Sequence, residues 1–375
     1  IADEATFNEE YLYECRETLQ NVLSDSVYNV RVCFGIYRTD NMNESLSFMC
    51  DKASFAVASI KDDTHSFIAY YDDTMLEAAI KYKTIVDEFD DAIKAGEFKM
   101  YLQPQISAKT RRLTGAEALV RRIKPDGTII SPIDFIPVYE KSGLISRLDR
   151  YIWEQAAAKL GEWKKAGINM SISVNISPKD FYYIDIFNTF AGLIKKYDIE
   201  PSNLKIEITE TTIMSDVPNL MGELEELRKA GFTLEMDDFG SGYSSLNTLK
   251  DINVDVLKVD MGFIKETKNV KKSRIILASV IKMAKELNLL IITEGVETEE
   301  QVDNLTKLGC DVFQGYYFSK AIDVNEFEAS DAILGMQNRP EGEAGRVTIN
   351  LTSDVFEQVV MAAPYVTLKG NGHTI

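Results

Sequence analysis

LMGELEELRKAGFTLEMDDFG, residues 220–240, holds a helix, its stop signal and a strand in one run. Leu220, Leu224 and Leu227 recur at helical spacing and form one apolar face. Lys229 falls in the last turn, and Gly231 can take the left-handed cap that ends a helix. FTLEM then reads as an apolar strand that stops on two adjacent carboxylates, Asp237 and Asp238. The same junction occurs twice more: Lys165-Ala166-Gly167 leads into INMSISVNIS, and Lys307-Leu308-Gly309 leads into CDVFQGYYF. LTGAEALV (113–120), NLKIEIT (203–209), VDVLKV (254–259) and LLIITEGV (289–296) supply further strands between helical stretches. Such regular alternation predicts a parallel α/β architecture. About seven or eight units in ~250 residues fit a (β/α)8 TIM-like barrel better than an open sheet. No GxGxxG loop opens a helix, which argues against dinucleotide binding.

The barrel pattern occupies residues 85–335, starting at the helix around Thr84–Ala95. Residues 1–84 read differently, as a small α+β segment. RVCFGIYRT is a strand, LSFMCDKASFAVASIK a helix and HSFIAYYD a second strand. Residues 336–375 begin with a linker, MQNRPEGEAG, and continue with strand-like alternation to which no role is assigned.

Composition narrows the chemistry. The chain has 375 residues, with 59 acidic against 41 basic side chains and a formal charge of −18. That balance opposes broad nucleic-acid binding, so no DNA partner is expected. No run of ~18 apolar residues is present to span a membrane, and the acidic start lacks a signal peptide. The first residue is not Met, which reads as a fragment of a longer protein. An upstream sensory segment, and any tether to the inner membrane, would lie in the absent part. Cys15, Cys33, Cys50 and Cys310 show no CxxC spacing and fit a reducing, cytoplasmic compartment. The only histidines are His65 and His373, so chemistry in the barrel cannot use a histidine base or histidine-bound zinc.

In a parallel barrel the working residues sit at the C-terminal ends of strands. Here those ends carry Glu117, Asn175, Glu207 with Glu210, Asp237 with Asp238, Lys258 with Asp260, Glu294 with Glu297, and Gln314. One acid at a strand end is usually a helix N-cap. Acids converging from several strands repel one another unless cations hold them together. Oxygen-only ligands select hard ions, so Mg²⁺ or Mn²⁺ is expected, and in the adjacent pair Asp237-Asp238 one carboxylate can bridge two metals while its neighbour binds one. Such a pair, ~3.5–4 Å apart, serves both the attacking water and the leaving oxygen of a phosphodiester. Lys258 would orient that water or stabilise developing negative charge. Blander readings stand beside these. Asn175 could cap a helix near Pro178, Lys258 and Arg121 could form surface ion pairs, and Gln314 could be satisfied by backbone. Tyr316, Tyr317 and Phe318 read as packing residues.

GAEALVR, SVNIS, EITE, DDFGSGYSSL, LKVD, TEGVE and FQGYYFSK occur in the order found in EAL-domain cyclic di-GMP phosphodiesterases, which residues 85–335 resemble. YLQPQI and SPIDFIPVYEKSGLI add to the resemblance. It implies metal-dependent hydrolysis of cyclic di-GMP to linear 5′-pGpG in bacterial signalling. Glu117, Asn175 and Glu207 match first-metal ligands, Asp237 the bridging carboxylate, and Asp238 and Glu294 second-metal ligands. Glu117, Asp237, Lys258 and Glu294 are thereby the expected catalytic residues. Gln103, Leu119, Arg121, Asp238 and Gln314 match positions around the cyclic dinucleotide. Glu210 matches a glutamate that steadies the DDFGSGYSS loop, where Gly240 and Gly242 permit unusual backbone angles. The family also implies a homodimer through the barrel. Arg122 stands where tryptophan is common and Ala321 where proline is common, which bears on substrate affinity. The alternative function is a catalytically silent cyclic di-GMP receptor, and a third is a purely structural barrel. CFGIY and FMCDKASFAVASIK resemble the C-terminal half of a GGDEF domain, without its signature. That resemblance implies a regulatory or linking role for residues 1–84.

Overall fold

The computed structural model describes residues 7–23, 31–39, 41, 43–61, 63, 65–214, 217, 219–239, 249, 252–261, 270–329, 347–350 and 366–369. The chain divides into two compact units, Ile1–Phe89 and Asp90–Ile375.

In the first unit, strands Phe34–Ile36 and Ile68–Tyr70 pair in parallel, joined through the helix Leu46–Ser59. Ser45 caps that helix, accepting from the Phe48 N–H at 3.3 Å. Gly35 is demanded by close approach, because a Cβ there would lie 1.9 Å from the Ala53 carbonyl oxygen on the crossing helix. The strand–helix–strand order is the expected one. Helices Glu9–Leu23 and Asp73–Asp87 complete the unit; the first of them had no counterpart in the sequence reading.

The second unit is a closed eight-stranded barrel. Its strands are β1 (Phe98–Ser107), β2 (Leu113–Ile123), β3 (Ser171–Ile176), β4 (Leu204–Thr209), β5 (Leu234–Asp237), β6 (Val256–Asp260), β7 (Leu290–Glu294) and β8 (Val312–Phe313). Neighbours from β2 to β8 pair in parallel, and β1 closes the ring antiparallel to both β2 and β8. The expected all-parallel barrel is thus modified at one strand. The cause is local: residues 108–112 are too few for a helical crossover, so β1 and β2 form a hairpin. Ser107 N–H donates to the Arg112 carbonyl at 2.8 Å and closes it.

Five barrel helices are α1 (Ile145–Lys165), α2 (Ile186–Tyr197), α3 (Leu220–Lys229), α4 (Val270–Glu286) and α5 (Glu299–Leu308). Leu220, Leu224 and Leu227 bury the predicted face of α3. Gly167, Gly231 and Gly309 follow α1, α3 and α5 at φ of 75°, 95° and 96°, so all three predicted left-handed stops form. Between strands and helices the core is aromatic: the Trp153 and Phe190 rings lie 4.8 Å apart, and Phe190 meets Phe232 edge-on at 5.7 Å. Beyond the barrel, Val347–Asn350 pairs in parallel with Val366–Lys369; residues 351–365 and the linker 336–345 fall outside the described residues. Among the described residues no helix is long and apolar enough to cross a membrane.

Candidate active site

Strand alternation decides which side chains enter the barrel. Every second residue points inward, so a strand that ends on one inward acid presents another inward position two residues earlier. On β2 this sends Glu117, Leu119 and Arg121 to one face. The reversed β1 lays Gln103 beside Glu117 and Gln105 beside Gly115 in register. On β4 and β5, Glu207 and Glu235 are register partners.

Lys258 stands at the centre. Its ammonium is 1 % exposed and lies 2.8 Å from Glu294 Oε1, 2.9 Å from Glu207 Oε2, 3.3 Å from Asp237 Oδ1 and 3.4 Å from Glu117 Oε2. It is no surface ion-pair partner. Burial opposes its charge, but Glu117, Glu207, Glu294 and Asp237 outweigh burial and hold the ammonium well above the usual lysine range. The acids are strained in return. Burial, then repulsion from Glu117, pushes Glu207 well above the ordinary carboxylate range. Burial pushes Glu294 up to about 8 against the pull of Lys258. Glu207 Oε1, Asp237 Oδ1 and Glu294 Oε1 are buried with no hydrogen-bond donor aligned on them.

Amides complete the cluster. Asn175 Nδ2 donates to Glu117 Oε1 at 3.3 Å, and the Trp153 indole N–H donates to the Asn175 carbonyl at 2.9 Å. Asn175 is therefore no helix cap; the next helix, Asp180–Tyr183, begins after Lys179. Gln314 Nε2 donates to Glu117 Oε2 and, at 3.3 Å, to Gln103 Oε1. Gln314 is a buried amide satisfied by side chains, not by backbone. Asp238 follows β5 at φ 56°, in the left-handed region, exposed at the edge of the cluster. Partial desolvation and the neighbouring Asp237 charge raise its carboxyl.

The remaining expected residues lie further out. Arg121 donates through Nη1 to the Val120 carbonyl at 2.8 Å, and its guanidinium lies 5.8 Å from the Tyr101 ring centroid. Leu119 is half-buried on the same face. Glu210 is fully buried at the start of the short helix Glu210–Ile213; of the DDFGSGYSS loop it is expected to steady, residues 240–245, with Gly240 and Gly242, fall outside the described residues. Arg122 points the other way, buried against Glu97 at 2.9 Å, so it belongs to the wall of the barrel and not to its mouth. Phe318 stacks on Phe313 and meets Tyr317, as packing requires. Tyr316 instead is 61 % exposed, contrary to the packing expectation.

The matches to other proteins follow this geometry. Residues 86–321 fit the EAL domain model. The chain belongs to the EAL domain family. This EAL protein is 34 % identical over 277 residues to the signaling protein YkoW of Bacillus subtilis, covering 74 % of the present chain and 35 % of YkoW. It is 29 % identical over 332 residues to the bifunctional diguanylate cyclase/cyclic di-GMP phosphodiesterase MucR of Pseudomonas aeruginosa, covering 88 % and 48 %. The chain thus spans a third to a half of the length of these curated relatives. Among solved structures, the PaMucR phosphodiesterase in complex with c-di-GMP superposes with a TM-score of 0.61 at 32 % identity, over 65 % of this chain and 99 % of that one.

Three polar residues beside the site escaped the sequence reading: the buried Gln105 and Glu235, and the half-buried Lys205. Lys205 and Glu235 pair at 2.9 Å inside the barrel. Burial works to raise Glu235, and the Lys205 and Lys258 charges overcome it and hold the carboxyl low. Each of the three lies two residues from a predicted site residue on the same strand, namely Gln103, Glu207 and Asp237. That period-two offset was the available signal.

Proposed function

We propose that this chain hydrolyses one phosphodiester bond of cyclic di-GMP, releasing linear 5′-pGpG, with two divalent cations held at the barrel mouth. The observation that carries the reading is the ring of Glu117, Glu207, Asp237 and Glu294 closing on Lys258 inside an EAL barrel. The donor set fits hard cations. Its ligands are all oxygens, and several buried acceptors lack an aligned donor. Glu117, Asn175 and Glu207 would hold the first ion, Asp237 would bridge, and Asp238 and Glu294 would hold the second. Divalent ions, when bound, supply the Lewis acidity that activates water and offsets phosphate charge.

The side chains do the rest. Lys258, kept protonated by its neighbours, donates to the attacking water or to the phosphate oxygens as negative charge develops. Arg121, on the same strand face as Glu117, pairs with a phosphate. Gln103, Leu119, Asp238 and Gln314 position the dinucleotide around the scissile bond. Glu210 steadies the loop after Asp238. MucR, whose name and complex concern this same dinucleotide, supports the choice of substrate. The same reading makes residues 1–84 a regulatory or linking remnant of a GGDEF domain, and the active form a homodimer through the barrel.

The test is cyclic di-GMP turnover in Mg²⁺ or Mn²⁺ with the product identified, beside a Glu117→Ala variant. Metal-dependent 5′-pGpG formation that the variant loses by at least two orders of magnitude is the expected result. Binding of cyclic di-GMP without product would assign the chain as a receptor instead.

A further inference from the structure

We infer that Gln105 is a positioning residue for Glu117, acting through Gln314 in an amide relay of fixed polarity. The inference rests on the phosphodiesterase reading, in which Glu117 is a metal ligand. The relay starts at a group that cannot change its role. The Ser319 backbone carbonyl only accepts, so Gln103 must turn its Nε2 toward it, at 3.4 Å. This leaves Gln103 Oε1 facing Gln314, which must therefore present Nε2, at 3.3 Å. The second hydrogen of that same Nε2 goes to Glu117 Oε2. Gln314 Oε1 is then directed away from the acid, and Gln105 Nε2 donates to it at 3.1 Å. Both hydrogens of the Gln314 amide are used, and among the described residues its oxygen is held by Gln105.

The polarity matters to Glu117. A Gln314 amide turned over would set its carbonyl oxygen against the Glu117 carboxylate and against Gln103 Oε1, two acceptor–acceptor contacts in a dry site. Gln105 locks the productive orientation. With Asn175 Nδ2 on Oε1 and Gln314 Nε2 on Oε2, both oxygens of Glu117 are then oriented by amide donors. The site is also built to admit Gln105. Both glutamines are almost fully buried. Gly115, the register partner of Gln105, has no Cβ; one added there would fall 3.2 Å from Gln105 Oε1 and 2.5 Å from Ser171 Oγ. The β1–β2 register shifts immediately after Gln105, a bulge that ends regular pairing where this side chain turns inward.

The experiment measures the Mn²⁺ dissociation constant of the full chain, without cyclic di-GMP, for the parent, Gln105→Met, Gln314→Met and the double variant. Thermal unfolding is read beside it. The relay predicts that Gln105→Met weakens Mn²⁺ binding roughly 10–100-fold, the usual cost of removing a ligand's supporting partner. It further predicts that Gln105→Met adds less than threefold in the Gln314→Met background, because its effect passes through Gln314. Gln105→Leu replaces Gln105→Met if the latter does not fold. Unchanged Mn²⁺ affinity in Gln105→Met, or an equal loss with Gln314 already removed, overturns the relay while leaving the phosphodiesterase reading intact. A parent that binds no Mn²⁺ removes both.

Discussion

At Lys258 two large effects oppose each other. Full burial of an ammonium costs up to about 3–5 pKa units, or about 4–7 kcal/mol. A single carboxylate near 4 Å returns about 4 kcal/mol at an effective dielectric of 20. Four carboxylates lie within 3.4 Å, so charge wins and the lysine stays protonated. Removing it should separate its two roles. In Lys258→Met the acids can relieve their repulsion by taking up protons or cations, so the fold and Mn²⁺ binding persist. Turnover of cyclic di-GMP should fall about 10²–10³-fold, the range seen when one charge-stabilising donor is lost. Steady-state kinetics and a Mn²⁺ titration on the same variant check this; loss of Mn²⁺ binding would make Lys258 a structural counter-ion only.

At the scale of elements, the short β8 carries Gln314 into the site and then turns. Gln314 N–H donates to the Thr293 carbonyl at 2.9 Å, and Val296 N–H donates to the Gln314 carbonyl at 3.2 Å. The next residue, Gly315, presses backbone against backbone: a Cβ there would lie 2.2 Å from Val296 O and 2.3 Å from Val296 N. Neither atom belongs to a flexible side chain, so the two segments must part. Gly315→Ala should therefore cost about 2 kcal/mol in urea unfolding. It should also lower Mn²⁺ affinity, because Gln314 moves with its neighbour. A variant of parental stability would mean that the turn after β8 yields without strain. The strand's brevity also explains why CDVFQGYYF reads as a longer strand than it forms. Of its residues after Gly315, Tyr317 and Phe318 are used in ring packing, not in the ladder.

For the whole molecule, one buried acid outside the site couples stability to pH. Asp180 is completely buried and accepts from the Ser177 N–H at 2.8 Å, at the turn that follows Asn175. Burial raises its carboxyl to about 6, with Glu140 adding to the rise and Ser146, Ser177 and Asp149 opposing it. Asp149 is itself driven well above the carboxylate range, by burial first and then by Asp180. A folded value above the unfolded 3.8 means that the contribution to stability is present at pH 3–4 and lost as pH rises through about 6. The Asp180→Asn variant keeps an acceptor for Ser177 and carries no charge. Its advantage over the parent should be negligible near pH 4 and grow to about 2–3 kcal/mol by pH 7.5. Parallel stability curves for the two proteins across that range would show that Asp180 does not titrate there.

The alternation of strands with glycine-stopped helices was enough, by itself, to determine the barrel. The reason is that helix caps and apolar periodicity are local: Gly167, Gly231 and Gly309 each act within one turn of chain. The strand-end acids were legible for a similar reason, because a parallel barrel gathers all such ends at one mouth. What tertiary structure alone decided is which inward polar residues meet. The reversal of β1 sets Gln103 and Gln105 against Glu117 and Gly115 across the hairpin. Closure of the ring through β8 brings Gln314, more than 190 positions along the chain from Glu117, into hydrogen bond with it. Lys205 meets Glu235 only because β4 and β5 are neighbours in register. Arg122 is turned to the wall and Arg121 to the mouth by a one-residue alternation whose phase depends on where the core lies. Local sequence encodes propensity and period, whereas the phase, the neighbours and the direction of each amide are fixed by long-range pairing.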